Sequence, residues 1–211
     1  MFKNINFVVR LIVVTDFFYN AAFSSFAPVF AIFLTGQIAG GSAKVAGLAA
    51  ATYWITKSIF QLPIARFLDR TDGEKDDFWA MFAGYFFSGF VPFGYIFATE
   101  AWHIYALQAF LGFMMAWAVP AWYAIFTRHV DKWRISFEWS LQSVFSVGLA
   151  TSIATAAGGY VADAFGFKIL FLAAGILSIS ASLILLGLRK NLMLRNYQEK
   201  ILPERRQHVP H

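Results

Sequence analysis

The sequence predicts an all-α membrane protein of six transmembrane helices, and three observations carry that reading. Hydrophobic residues make up 59% of the 211-residue chain and aromatic residues 19%, while only 14% are charged, a balance outside the range of soluble globular domains. Six stretches reach the roughly 20 apolar residues that a helix needs to cross a bilayer. Lys and Arg fall mostly in alternate connections, the pattern of loops kept on the cytoplasmic side.

The six helices are expected at about 7–34, 45–68, 78–98, 102–126, 137–162 and 168–188. The opening stretch, MFKNINFVVRLIVV, lacks a small-residue cleavage site, so it is expected to stay as helix one rather than leave as a signal peptide. Helix one carries Asp16, Asn20 and Ser24; helix two carries Tyr53, Lys57 and Gln61; helix five carries Glu138, Gln142 and Ser146. Residues four apart share a helix face, and a polar face inside a bilayer must meet protein or water. Three converging stripes predict a water-accessible cavity; buried hydrogen bonding without a cavity is the alternative. Helices four and five also carry rows of small residues, Gly112, Ala116, Pro120 and Ala124, then Gly148, Ser152 and Ala156. Such rows let membrane helices approach closely. Residues 1–190 therefore form one transmembrane domain, and 191–211 a basic tail.

Fourteen of the 17 Lys and Arg lie at the amino end, in the 66–75 and 128–134 loops, or in the tail. Both termini are accordingly expected in the cytoplasm, as an even helix count requires, with the cell membrane as the site. The net charge of +5 is spent on topology, which argues against nucleic acid as a partner. With no Cys there is no disulfide framework or thiolate metal site. His103, His129, His208 and His211 are too scattered for a metal. No G-x-S-x-G, H-E-x-x-H or P-loop motif occurs, so neither an enzyme nor a cofactor is expected.

Two charges fall inside apolar runs, where each costs roughly 2.5–3.5 kcal/mol on insertion scales. Asp16 lies about 15 Å and Lys57 about 16 Å from the same surface at 1.5 Å per residue, so the two are expected to pair. A permanent structural ion pair is one reading; a site where a proton or substrate charge competes for the pairing is the other. Trp54, Trp117 and Trp122 offer ring faces for a lipophilic cation, with lipid-facing filler as the plainer account. Glu138 follows Ser136 at the start of helix five, where a carboxylate complements the helix dipole.

From Arg66 to Asp77 eight of twelve residues are charged. Within this run Asp69-Arg70 and Gly73 resemble the loop signature of the major facilitator superfamily, with Ala65 in place of its first Gly. QAFLGFMMAWAVPAWYAIFTRHVDKWRISFEWS resembles that family's fourth helix and following loop, in register at Gly112, Ala116, Pro120, Ala124 and Arg134. Gln108 stands where the family pattern has an Arg. GGYVADAFGFKILF resembles the end of the fifth helix and start of the sixth, and Pro28 also fits. The resemblance covers about residues 7 to 188.

The family resemblance implies transport by alternating access and, usually, two six-helix repeats related by an axis along the membrane normal. This chain resembles one repeat, so closing a cavity implies a parallel C2 homodimer across helices two and five. The expected substrate or proton site is Asp16, Asn20, Lys57, Gln108 and Trp117, and the solute is small and amphipathic, zwitterionic or drug-like. The expected cytoplasmic gate is Asp69, Arg70, Gly73, Arg134 and Glu138. Asp69 would face the partner's helix five, and Arg70 would pair there with Glu138. The alternatives are a non-transporting scaffold or assembly subunit, or the amino-terminal half of a twelve-helix transporter.

Overall fold

A computed structural model describes residues 5–70 and 74–192; Gly73 and the tail beyond residue 192 lie outside them. The chain is helical in the order α1 (Phe7–Phe26), α2 (Phe30–Gln37), α3 (Ala43–Leu68), α4 (Lys75–Ser88), α5 (Val91–Phe97), α6 (Ala101–His129), α7 (Ile135–Leu141), a π-helical segment (Gln142–Leu149), α8 (Ala150–Phe165) and α9 (Phe167–Ile184), with a closing 3-10 turn (Leu185–Lys190).

Three of the expected rods are interrupted, each for a local reason. The first stops at Phe26 and resumes at Phe30, because Pro28 has no N–H for the ladder and the chain crosses it in a tight turn, Val29 N to Phe26 O at 3.1 Å. The third breaks at Gly89 and Phe90, and Pro92 sits in the first turn of α5, where a missing N–H costs nothing. The fifth widens into π turns between α7 and α8. Gly166, at φ 82°, makes the corner from α8 to α9, a backbone position that Gly alone takes without strain.

Among the described residues five spans are long and apolar enough to cross a membrane: Phe7–Phe26, Lys75–Phe97, Ala101–His129, Ile135–Phe165 and Phe167–Arg189. The sixth expected span, α3, has the length at 26 residues, but Lys57, Gln61 and its many small residues leave it less apolar than the others.

α1 is the central rod. It packs on α8, α9, the π segment and α6, and Val9, Ile12, Val13 and Ala22 along it are completely buried. α6 joins α3 on one side to α4 on the other, and α4 reaches α9. At one end, Ala39 N donates to Thr99 O at 2.9 Å, tying the α2–α3 and α5–α6 connections together. At the other, Gly187 packs on Leu11, so the last described turn returns beside the start of α1.

Small residues set the closest helix contacts. A Cβ at Gly112 would stand 2.5 Å from the Tyr53 carbonyl of α3, and one at Gly158 would collide with the Ser25 backbone of α1. Gly158→Val is therefore expected to lower the unfolding midpoint in detergent, at a cost of about 1–3 kcal/mol or more for forcing packed backbones apart. The neighbouring Gly159 has open space at its Cβ position. Gly159→Val should leave the midpoint unchanged, and equal loss in both variants would sink the packing account.

Candidate functional site

The polar stripe of α1 zips onto the rod formed by α7, the π segment and α8. Asp16, 3% exposed, accepts three hydrogen bonds. Tyr85 Oη of α4 donates to Oδ1 at 2.9 Å; Trp122 Nε1 of α6 and Gln142 Nε2 donate to Oδ2 at 2.7 and 2.6 Å. One turn on, Asn20 Nδ2 donates to Ser146 O at 3.1 Å. A turn further, the Ser24 and Thr151 hydroxyls lie 3.1 Å apart. Ser146 Oγ completes the network against Val13 O at 2.8 Å and Gln142 Oε1 at 2.9 Å.

The π turns fall on this contact. Within Gln142–Leu149 only Gln142 and Ser146 are buried, and both are spent on α1, while Val144 and Val147 face outward. π turns inside α-helices are frequent at functional positions. Around the carboxylate the support is aromatic: Tyr19 stacks on Tyr85 at 4.1 Å, and Trp122 stacks on Phe126 at 4.8 Å. The Tyr19 hydroxyl in turn meets Ser88 Oγ at 2.6 Å.

Asp16 and Asn20 are thus brought together, and the rest of the expected site is not gathered with them. Among the described residues no ion pair joins Asp16 to Lys57. Both their directions and their levels differ: Asp16 points between α4, α6 and the π segment and is held by Trp122, whereas Lys57 belongs to the α3–α6 seam with its backbone against Gly112, ten residues from Trp122 along α6. There its Nζ lies 4.9 Å from the Trp54 ring centre and 5.9 Å from that of Tyr53. Trp117 occupies the same seam, edge-on to Phe67 at 6.3 Å. Gln108 is half-buried on α6. The stripes of helices one and five satisfy each other, and among the described residues Lys57 and Gln61 of the third stripe make no hydrogen bond or ion pair with them.

The charged run is explained by what it grips. Glu74 and Asp77 are buried at the start of α4, and Arg128 with His129 closes α6. Arg128 pairs directly with Asp77 and lies 3.8 Å from Glu74; His129 Nδ1 is 3.6 Å from the same Glu74 oxygen. Asp69 and Arg70 are exposed at the end of α3 and Arg134 is exposed before α7. Glu138 does not face outward to meet a partner's Arg70. It is completely buried and accepts from Asp131 N at 3.2 Å, because a carboxylate in a first turn folds back over the preceding backbone. A cavity of about 500 Å³ opens between α3 and α6 at this end, lined in part by Gln61, Asp69, Asp77, Tyr123, Thr127 and Arg128.

Sequence reasoning passed over Tyr85 and gave Trp122 no role beside Asp16. The signal available was the acid itself: a carboxylate buried without a cation needs donors, and only a few side chains in these spans supply them.

Long apolar helices, wrapped around a buried carboxylate that has no ion-pair partner among the described residues, are the build of an integral membrane protein. The family model of the Major Facilitator Superfamily matches residues 12–206, and the chain belongs to that superfamily of transporters; its 211 residues are consistent with a half-size member. No curated protein matches the chain.

Proposed function

We propose that the chain is a half-size secondary transporter that works as a parallel C2 homodimer by alternating access. It would carry a small amphipathic or zwitterionic solute and use Asp16 as its proton-coupling group. The observation that carries this reading is where cover is missing. Over an apolar stretch of 18 residues within each span, 22% of the Ile135–Phe165 stretch is buried against 44–50% for the other four, and of the 26 residues of α3 only Val45, Ala49, Ile64 and Leu68 are buried. These two rods form the expected dimer seam, and α3 carries Lys57 and Gln61. A cation on a poorly covered membrane helix calls for protein or water beside it, and a second copy facing it supplies both.

In such a dimer the cavity between α3 and α6 faces the seam, with Asp69, Arg70 and Arg134 as its exposed charges. Topology with both termini in the cytoplasm brings those charges to the cytoplasmic mouth, where they latch one closed state. Asp16 lies apart from this mouth, behind Trp122 and Tyr85, in a position suited to exchange a proton rather than to grip the solute.

Native mass spectrometry in lipid nanodiscs tests the reading. A species at twice 23.7 kDa, weakened by Asp69→Ala, is expected. A strict monomer in every lipid removes the shared cavity and the transporter mechanism with it.

A further inference from the structure

We propose that Tyr85 is the proton-gating partner of Asp16: the proton binds Oδ1, and the Tyr85 hydroxyl reverses from donor to acceptor as it arrives. This deepens the proton-coupling part of the reading above and rests on it.

The inference follows from which partners can change role. Oδ2 faces two N–H groups, the Trp122 indole at 2.7 Å and the Gln142 amide at 2.6 Å. An indole N–H donates only. The Gln142 amide is held in orientation from its other side, since its Oε1 faces the Ser146 hydroxyl at 2.9 Å. A hydrogen placed on Oδ2 would therefore point at hydrogens. Oδ1 faces the Tyr85 hydroxyl at 2.9 Å, and a phenolic hydroxyl both donates and accepts. It alone among the three partners accommodates either state of the carboxyl without a change of position.

The step balances simply. A proton drawn from water forms the Oδ1–H bond, the carboxylate becomes a neutral acid, and the Tyr85 O–H turns its own hydrogen away while its oxygen accepts. No bond to carbon is made or broken; the C–Oδ2 bond takes on full double-bond character, and Oδ2 goes on accepting from Trp122 and Gln142.

The titratable groups around the carboxyl are few. α4 contributes Tyr85, α1 contributes Tyr19, and Tyr53 of α3 and Tyr123 of α6 lie within electrostatic reach of these two. Among the described residues no Lys, Arg or His from any packed element forms an ion pair with Asp16. The reversal is thus governed by neutral dipoles, and Tyr85 is a positioning residue for the proton. Its ring is fixed independently by the 4.1 Å stack on Tyr19, so removing the hydroxyl leaves the packing in place.

The test is pH-difference infrared spectroscopy on the full-length protein in nanodiscs, comparing wild type with Asp16→Asn, Tyr85→Phe and Gln142→Leu. Two features are expected in the wild type. The first is a carboxylic-acid C=O band that Asp16→Asn abolishes. The second is a tyrosine C–O band that moves from the donor to the acceptor position and is abolished by both Asp16→Asn and Tyr85→Phe. If the Asp16 band is present but the tyrosine band is static, and an amide band lost in Gln142→Leu changes instead, the proton sits on Oδ2 and the Tyr85 assignment falls while proton coupling stands. If Asp16→Asn removes nothing from the difference spectrum, Asp16 takes up no proton, and both fall.

Discussion

Asp16→Leu is expected to destabilise the protein severely, while Asp16→Asn is expected to fold normally and, with Asp16 as the proposed coupling group, to lose proton-driven transport. The contrast comes from the donors that converge on the carboxyl. Leucine leaves Tyr85, Trp122 and Gln142 without an acceptor where the side chains are largely buried and water is a poor substitute. Each orphaned donor costs about 1–3 kcal/mol, so a total of roughly 3 kcal/mol or more follows even after local relaxation. Asparagine keeps one carbonyl oxygen for Trp122 and Gln142 and turns its NH₂ toward Tyr85, whose hydroxyl accepts as readily as it donates. It cannot take up a proton. Thermal unfolding in detergent and proton flux in proteoliposomes separate the two effects. An Asp16→Leu protein as stable as wild type would mean that the three donors find other partners. Undiminished proton-driven flux in Asp16→Asn would place the coupling group elsewhere.

The second large effect is expected at the end of α6. Arg128→Leu removes the cation that Asp77 and Glu74 share, and both carboxylates are almost completely buried. Breaking a buried ion pair from one side costs about 3–5 kcal/mol, mainly because a charge is left uncompensated. Arg128 itself is about one-third exposed, so the lower part of that range, near 3 kcal/mol, is expected here. Adding Asp77→Asn to Arg128→Leu should recover part of the loss, because the stranded charge is then gone. Chemical unfolding of both single variants and the double variant gives the coupling directly. Simple additivity would show that the pair contributes nothing and that the charged run serves topology alone.

Much of the fold was legible because lipid leaves few choices. Spanning segments must be long, apolar and internally hydrogen-bonded, so composition places the rods. The local breaks were less legible. Pro28 and Pro92 signal interruptions, yet the π turns at Gln142–Leu149 have no marker in composition; they arise from the contacts that Gln142 and Ser146 make with α1.

The site was legible in its parts and not in its assembly. A row four residues apart places Asp16, Asn20 and Ser24 on one face, which meets Gln142 and Ser146, whereas Glu138, the third member of the second row, turns back to Asp131 N. Counting residues gives depth only for straight, untilted rods, and rotation about the axis is set by packing. Asp16 and Lys57, level by count, settle in different seams, at Trp122 and at Gly112 of α6. The same limit applies at the charged run. Counting identified an excess of charge but not that Glu74 and Asp77, one turn apart, both face Arg128.

The modest apolarity of α3 bears on how the chain is made. On the six-span reading, α3 leaves the ribosome well before α6, the rod that covers most of its inner face. During that interval Lys57 stands in or beside lipid without its seam, at an insertion cost of roughly 2.5–3.5 kcal/mol. Helix two is then held only provisionally until helix four arrives, and the narrow fit of Gly112 against the Tyr53 carbonyl marks where the two lock. Biogenesis becomes a pairwise event, with the second span secured by the fourth.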